Sequence, residues 1–394
     1  MRATALFHPD DTQYVFDPAE LARRLQAVLP AESLIVDEAG RRAYECDGLS
    51  AYRQIPLLVA LPETVAQVQA VLRICNELGA PVVARGSGTS LSGGSLPHPQ
   101  GVLLALGKFN RILEIDPKRR IARVQPGVRN LAISQAAAPY GLYYAPDPSS
   151  QIACSIGGNV AENAGGVHCL KYGLTVHNVL QVTMLTIEGE LVTIGSLAPE
   201  QTGPDLLGLL HGSEGMLGVI VEIVVKLLPL PPVTKTLLAA FPTVQQAGDA
   251  VAAVIAAGVI PAGMEMMDNP ALQAAEDFVQ AGYPRDAAAI LLVELDGQAE
   301  EVDAQLERVH ALLQEHQASE IRLARDDAER ARFWLGRKAA FPAVGRITPD
   351  YYCMDGTIPR KHLAYVLQRM NEMSREYGLP VVNVFHAGDG NLHP

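Results

Sequence analysis

Aromatic residues make up only 5% of the sequence, with a single Trp, and there are five Cys in 394 residues. Cys46, Cys75, Cys154, Cys169 and Cys353 are scattered without any CxxC spacing, which excludes a Cys-rich iron–sulfur site built from this chain. Such an odd, scattered set fits a reducing compartment better than a disulfide framework. Basic charge is also in short supply: 31 Lys plus Arg against 43 Asp plus Glu leave a formal net charge of -12. That balance argues against nucleic-acid binding, which needs clustered cations for phosphate contacts. The one basic run, Lys118-Arg119-Arg120, follows Asp116-Pro117 and reads as a solvated hairpin turn. No apolar run reaches the length of a membrane span, and no apolar core precedes Pro9 as a secretory signal would require. The expected location is the cytoplasm.

What is present is a globular composition, 48% hydrophobic with 34 Gly. The length suits two domains. A lead-in over 1–50 carries one helix from Asp17 to about Val28. A first domain, 51–232, starts with a strand at 57–60 and a helix opened by Thr64 and closed by Gly79. Short strands follow at 81–84, 102–106, 112–115 and 121–124, with a hairpin around Glu188-Gly189-Glu190 and an apolar strand over 218–228. Leu228-Pro229-Leu230-Pro231-Pro232 is the best domain boundary. Beyond it, over 233–394, short strands alternate with amphipathic helices. That grammar predicts α+β, an antiparallel sheet covered by helices on one face. A strand near 351–354 and a last strand over 381–385 complete the expectation.

Three segments are rich in Gly. Arg85-Gly86-Ser87-Gly88-Thr89-Ser90-Leu91-Ser92-Gly93-Gly94 follows a strand, and its density of Gly and hydroxyls suits backbone N–H groups converging on an anion. It lacks the Lys of a P-loop and the spacing of a dinucleotide fingerprint. Taken alone, such a loop is more often just a turn. A longer stretch, 146–166, shows little regular periodicity and reads as a functional loop wrapped around an extended ligand. His211-Gly212-Ser213-Glu214-Gly215-Met216-Leu217-Gly218-Val219-Ile220 leads into a strand. At the far end, His386-Ala387-Gly388-Asp389-Gly390-Asn391-Leu392-His393 places two imidazoles around a Gly-Asp-Gly turn. They suit one metal ion, but two ligands rarely make a site, and capping of a tight loop is the competing reading.

Together the three Gly segments resemble the FAD-binding domain of the vanillyl-alcohol-oxidase (PCMH-type) superfamily. Phe333-Trp334-Leu335-Gly336-Arg337-Lys338, Pro349-Asp350-Tyr351-Tyr352-Cys353-Met354-Asp355-Gly356-Thr357-Ile358-Pro359 and the His386–His393 segment narrow the resemblance to the FAD-dependent D-2-hydroxy-acid dehydrogenases, which act on acids such as glycolate and D-lactate. The fold implied is a PCMH-type domain followed by a ferredoxin-like α+β cap that carries the substrate. The cofactor implied is FAD, held by Arg85, Gly86, Ser87, Gly88, Thr89 and Ser90, and by Pro146, Asp147, Ser149, Ser150, Ser155, Gly157, Gly158, Asn159, Asn163, Ala164, Gly165 and Gly166. Val219 and Ile220 would lie against its adenine end. Some relatives bond the flavin covalently through a His near Thr89 or Ser90; none stands there, so the resemblance implies non-covalent FAD.

In the same family an Arg anchors the substrate carboxylate, and Arg337 matches it, with Arg332 and Arg346 as rivals and an exposed helix face as the plain alternative. Tyr352 stands in the substrate segment, where relatives acting on larger dicarboxylates carry a Lys nearby, which favours a small acid here. His386 and His393 would hold a divalent metal such as zinc, across from Arg337. The catalytic base and a third ligand come, in the family, from a later Glu-His-Gly element, which is expected beyond Pro394; no catalytic base is assigned within this sequence. The resemblance further implies a second flavin-fold subunit and an iron–sulfur subunit as partners, reaching the inner face of a membrane only through them. A flavin-binding subunit without independent turnover is the alternative.

Overall fold

The computed structural model describes residues 16–198, 203–348 and 350–394. It divides into two compact units, Met1–Gly165 with Leu174–Pro229, and Gly166–Gly173 with Leu230–Pro394. The second unit therefore owns a short excursion that the chain makes out of the first.

The first unit holds two main sheets. In one, Leu58–Ala60 and Val82–Arg85 run parallel to Val102–Ala105, and Leu34–Ile35 pairs antiparallel at the edge. The helices Pro18–Gln26 and Val65–Leu78 bury Leu21, Leu25, Val68, Val71 and Leu72 in the core of this sheet. Val65–Leu78 forms where its signals place it. Thr64 and Gln67 cap each other's backbone N–H at the start, and Gly79 ends the helix at φ 72, a backbone state that favours Gly. The other sheet is antiparallel, in the order Ile112–Asp116, Ile121–Val124, Val219–Lys226, Val179–Leu185, Leu191–Gly195. The basic run does sit in a turn: Asp116 Oδ1 accepts from the N–H groups of Lys118 and Arg119 at 2.9 and 3.0 Å.

The stretch 146–166 is not the unstructured loop expected from its composition. Ile156–Glu162 is a helix with Ile156 and Val160 in the core. Gly157 and Gly158 dilute its apolar period, so no helical repeat shows in so short a segment.

The second unit is built on an antiparallel sheet ordered Glu320–Leu323, Val233–Phe241, Ala289–Gly297, Gly263–Asp268, Val384–His386, Asn391–Leu392, Gly356–Thr357. Contrary to the expectation of one covered face, helices lie on both. Val244–Ala256, Ala299–Glu315 and Leu363–Tyr377 pack on Leu237, Ala239, Leu291, Val293, Met264 and Phe385. Asn269–Val279, Asp327–Lys338 and Ala340–Val344 pack on Leu238, Ala240, Ile290, Leu292, Met267 and Val384. Alternate residues of one strand thus enter two cores, which is why Ala289–Gly297 reads as a continuous apolar run. The strand expected near 351–354 is displaced to Gly356–Thr357, beyond Tyr351 and Tyr352, whose rings stay largely exposed.

Candidate active site

The face of the second sheet beneath Asp327–Lys338 carries polar groups among its apolar ones. Thr236, Glu294, Glu265 and His386 all share the side of Leu238, Leu292 and Met267. Glu265 is the centre. It is 1% exposed, pairs in register with His386 across the neighbouring strand, and faces Arg337 from the helix above. His386 Nδ1 lies 2.7 Å from Glu265 Oε1. Arg337 Nε donates to Glu265 Oε2 at 2.7 Å. Arg337 Nη2 lies 2.7 Å from the same oxygen but off its donor direction, so neither Nη1 nor Nη2 has a hydrogen-bond partner. Removing one partner of such a buried ion pair costs about 3–5 kcal/mol, because the other charge is left without compensation.

Arg337 is thus the buried guanidinium among its rivals. Arg332 is exposed, and Arg346 is exposed over the ring of Phe278. Rather than lying across from the imidazoles, Arg337 shares a carboxylate with one of them. Its helix comes this close because Gly336 has no side chain: a Cβ there would collide with the Tyr283 ring. Tyr283 in turn donates its hydroxyl proton to the Phe333 carbonyl.

His386 and His393 meet edge to face, with ring centroids 5.0 Å apart. Gly390, at φ 81, makes the turn between them, with its Cα hydrogen against the Ile358 carbonyl. Leu170 of the Gly166–Gly173 excursion packs on Gly388 in the same turn. Burial alone would lower the pKa of His386, but Glu265 overrides it and the pKa is raised. His393 goes the other way: burial, with His386 and Arg337 beside it, holds its pKa down at about 3. That keeps it a neutral imidazole, the form a metal takes. Its Nδ1 is buried without a hydrogen-bond partner, 3.7 Å from Asp355 Oδ2. The two imidazoles therefore fit half of a tetrahedral set. Among the described residues no three His, Cys, Asp or Glu side chains gather to hold an ion. Tyr352 makes no hydrogen bond to this cluster among the described residues and is 53% exposed.

A second buried carboxylate braces the same helix. Glu294 accepts from Thr236 Oγ1 at 2.8 Å, Trp334 Nε1 at 2.6 Å and His168 Nε2 at 3.1 Å. Burial would raise its pKa, yet these donors together hold it below the usual range. Beside it, Asp296 takes Lys171 Nζ at 2.5 Å and the Tyr172 hydroxyl at 2.7 Å. The excursion is tied to the sheet at these two carboxylates.

In the first unit, Gly86, Ser155 and Gly158 converge, with Gly157 packed on Pro126. A Cβ on Gly86 would strike Ser155 Oγ, and one on Gly157 would meet Pro126 Cβ at 2.5 Å. Ser155 Oγ is buried with no partner. A hydroxyl left so beside bare glycines suits a phosphate oxygen, and this is the cradle on which the fit of FAD rests. Ser87 is exposed, and Gly88, Thr89 and Ser90 are half-buried. Arg85 turns away, donating to the Cys46 carbonyl at 2.8 Å and lying over the Tyr44 ring. Asn159 spends its side chain on structure, with Oδ1 accepting from Asn130 Nδ2 at 3.0 Å while the same Nδ2 donates to the Pro146 carbonyl at 2.9 Å. Asn163 closes the helix Ile156–Glu162 at φ 50, and its Oδ1 accepts from the Val176 N–H at 3.0 Å. Pro146, Asp147 and Gly166 are buried, Ser150, Ala164 and Gly165 half-buried, and Ser149 exposed. Val219 and Ile220 open the strand Val219–Lys226, in register with Leu185 and Met184.

Glu265, Glu294 and Asp296 escaped the reading of the sequence. The only signal was the presence of carboxylates within two otherwise apolar strands, a position such side chains occupy only when paired.

An FAD binding domain model matches residues 56–195, and a model of the C-terminal domain of FAD linked oxidases matches 230–394. The chain is 64% identical over 351 residues to the glycolate oxidase subunit GlcD of Escherichia coli (strain K12), covering 89% of this chain and 70% of that protein. It is 38% identical to the subunit of the same name from Bacillus subtilis (strain 168), covering 95% and 80%. Among solved structures, 4-ethylphenol oxidase from Gulosibacter chungangensis superposes with a TM-score of 0.79 at 20% identity, over 95% of this chain and 81% of that one. At that identity the likeness speaks for the fold alone.

Proposed function

The chain belongs to the FAD-linked oxidases, and from that premise we propose that it oxidises a small 2-hydroxy acid, glycolate first and D-lactate second, to the 2-oxo acid. FAD, when bound, supplies the hydride acceptor. The observation that carries the proposal is the buried guanidinium of Arg337, whose Nη1 is unpartnered beside two imidazoles. A carboxylate is the ligand such a fork receives best. Arg337 would hold the carboxylate of the acid and fix its α-carbon. His386 and His393 would hold a divalent ion such as zinc, which would act as a Lewis acid on the substrate hydroxyl. Tyr352, exposed on its segment, would border the small substrate. Ser155, Gly86 and Gly158 would receive the cofactor phosphates without a covalent bond.

No helix among the described residues is long and apolar enough to cross a membrane. Because its relatives are named as subunits, electrons would pass to partners, a second flavin-fold subunit and an iron–sulfur subunit, on the cytoplasmic side.

The test is anaerobic titration of the flavin-loaded protein with glycolate and with D-lactate, followed by the bleaching of the flavin band. Arg337→Lys, which keeps the charge but loses the fork, is expected to weaken the acid by about 10- to 100-fold, the worth of one charge-assisted hydrogen bond. Flavin that stays oxidised with both acids would sink the proposal and leave a flavin-binding subunit without turnover.

A further inference from the structure

We propose that Glu265 is the positioning residue of this site, setting the guanidinium of Arg337 and the imidazole of His386 from a single carboxylate; the inference rests on the roles given to those two residues above. The two oxygens of Glu265 are divided between them, Oε1 at 2.7 Å from His386 Nδ1 and Oε2 at 2.7 Å from Arg337 Nε. The carboxylate is planar and buried in the strand Gly263–Asp268, so neither partner moves without the other.

The division also fixes which atoms remain. In the neutral imidazole, with Nδ1–H facing Glu265, the lone pair of His386 is left on Nε2, on the side away from the strand. With Nε engaged, Arg337 keeps its unpartnered Nη1 for an incoming carboxylate. A 2-hydroxy acid carries its carboxylate and its hydroxyl on adjacent carbons. The groups that would read them are likewise held one carboxylate apart, and that spacing belongs to Glu265. A Gln at this position could accept from only one partner, because its amide nitrogen would face the other as a donor.

The test uses the full chain with its flavin bound, in wild type, Glu265→Gln and Glu265→Asp. Two affinities are read without turnover: oxalate, from the shift of the flavin spectrum, and Co2+, by calorimetry. Flavin content and melting temperature are followed alongside. We expect Glu265→Gln to retain flavin and to lose at least about tenfold in both affinities, the size seen when the partner of a metal-binding His is removed. Glu265→Asp, which keeps the charge on a shorter stem, should regain at least one of them. A folded Glu265→Gln that binds both probes as wild type does would overturn the proposal, as would a loss confined to one probe. So would failure of both variants to hold flavin, which would make Glu265 a structural ion pair only. Wild-type protein that binds neither probe would instead remove the roles of Arg337 and His386, and this inference with them.

Discussion

Asp268 offers a prediction whose size and sign both follow from its surroundings. It ends the strand Gly263–Asp268 and caps the helix Asn269–Val279, with Oδ1 accepting from the Ala271 N–H at 3.2 Å. Its Oδ2 accepts from the Asn383 N–H at 3.1 Å and Asn383 Nδ2 at 2.8 Å, just before the strand that carries His386. Burial pushes its pKa up from 3.8 to about 6, and these three donors only partly restrain the rise. An acid whose folded pKa exceeds its unfolded one binds more protons folded than unfolded between the two values. Stability from this group therefore falls as pH rises from 3.8 through about 6 and returns as pH falls. The difference between the two pKa values amounts to about 3 kcal/mol. Asp268→Asn keeps the cap oxygen but never ionises, at a fixed cost where its amide meets the Asn383 donors. The gap between wild type and variant should thus narrow by most of that amount from pH 4 to pH 7, roughly 6–12 °C in melting temperature for a unit this size. Melting curves of both proteins across that range provide the assay, with other titrating groups cancelling in the difference. A gap that is flat with pH, or that widens toward neutrality, would refute the reasoning.

Gly336→Ala should destabilise by about 1–3 kcal/mol, since the gain in helix propensity is smaller than the cost of overpacking against the rigid Tyr283 ring. A melting temperature equal to or above wild type would refute it. Gly86→Ala should fill the cradle beside Ser155 and weaken FAD by about tenfold or more, the cost of one lost charge-assisted contact, without unfolding the first unit. Gly107→Ala, where a Cβ meets nothing within 4 Å, serves as the control, and equal flavin content in the two variants would count against the cradle.

Elements that carry their own signals were legible in the sequence. The helix Val65–Leu78 has both its caps written beside it, and the alternation of strand and helix beyond Leu230 does yield an antiparallel sheet. What failed to show was whatever depends on distant partners. Two-sided burial of the second sheet is set by which helices fold over it, and a strand buried on both faces loses its alternation. Arg337 and His386 stood out as residues, but the carboxylate that unites them lies 72 and 121 positions away in sequence. Ile156–Glu162 was masked by the very glycines that open the cradle.

The Gly166–Gly173 excursion makes the two units inseparable by a single cut. Cleaving the chain between Pro229 and Leu230 gives a C-terminal piece that still contains Glu294 and Asp296 but has lost His168, Lys171 and Tyr172. Both carboxylates would then sit in the sheet without these partners, and the turn between His386 and His393 would lose Leu170. The second unit is therefore not a portable module. Any attempt to graft it must carry the eight residues Gly166–Gly173 from the middle of its neighbour.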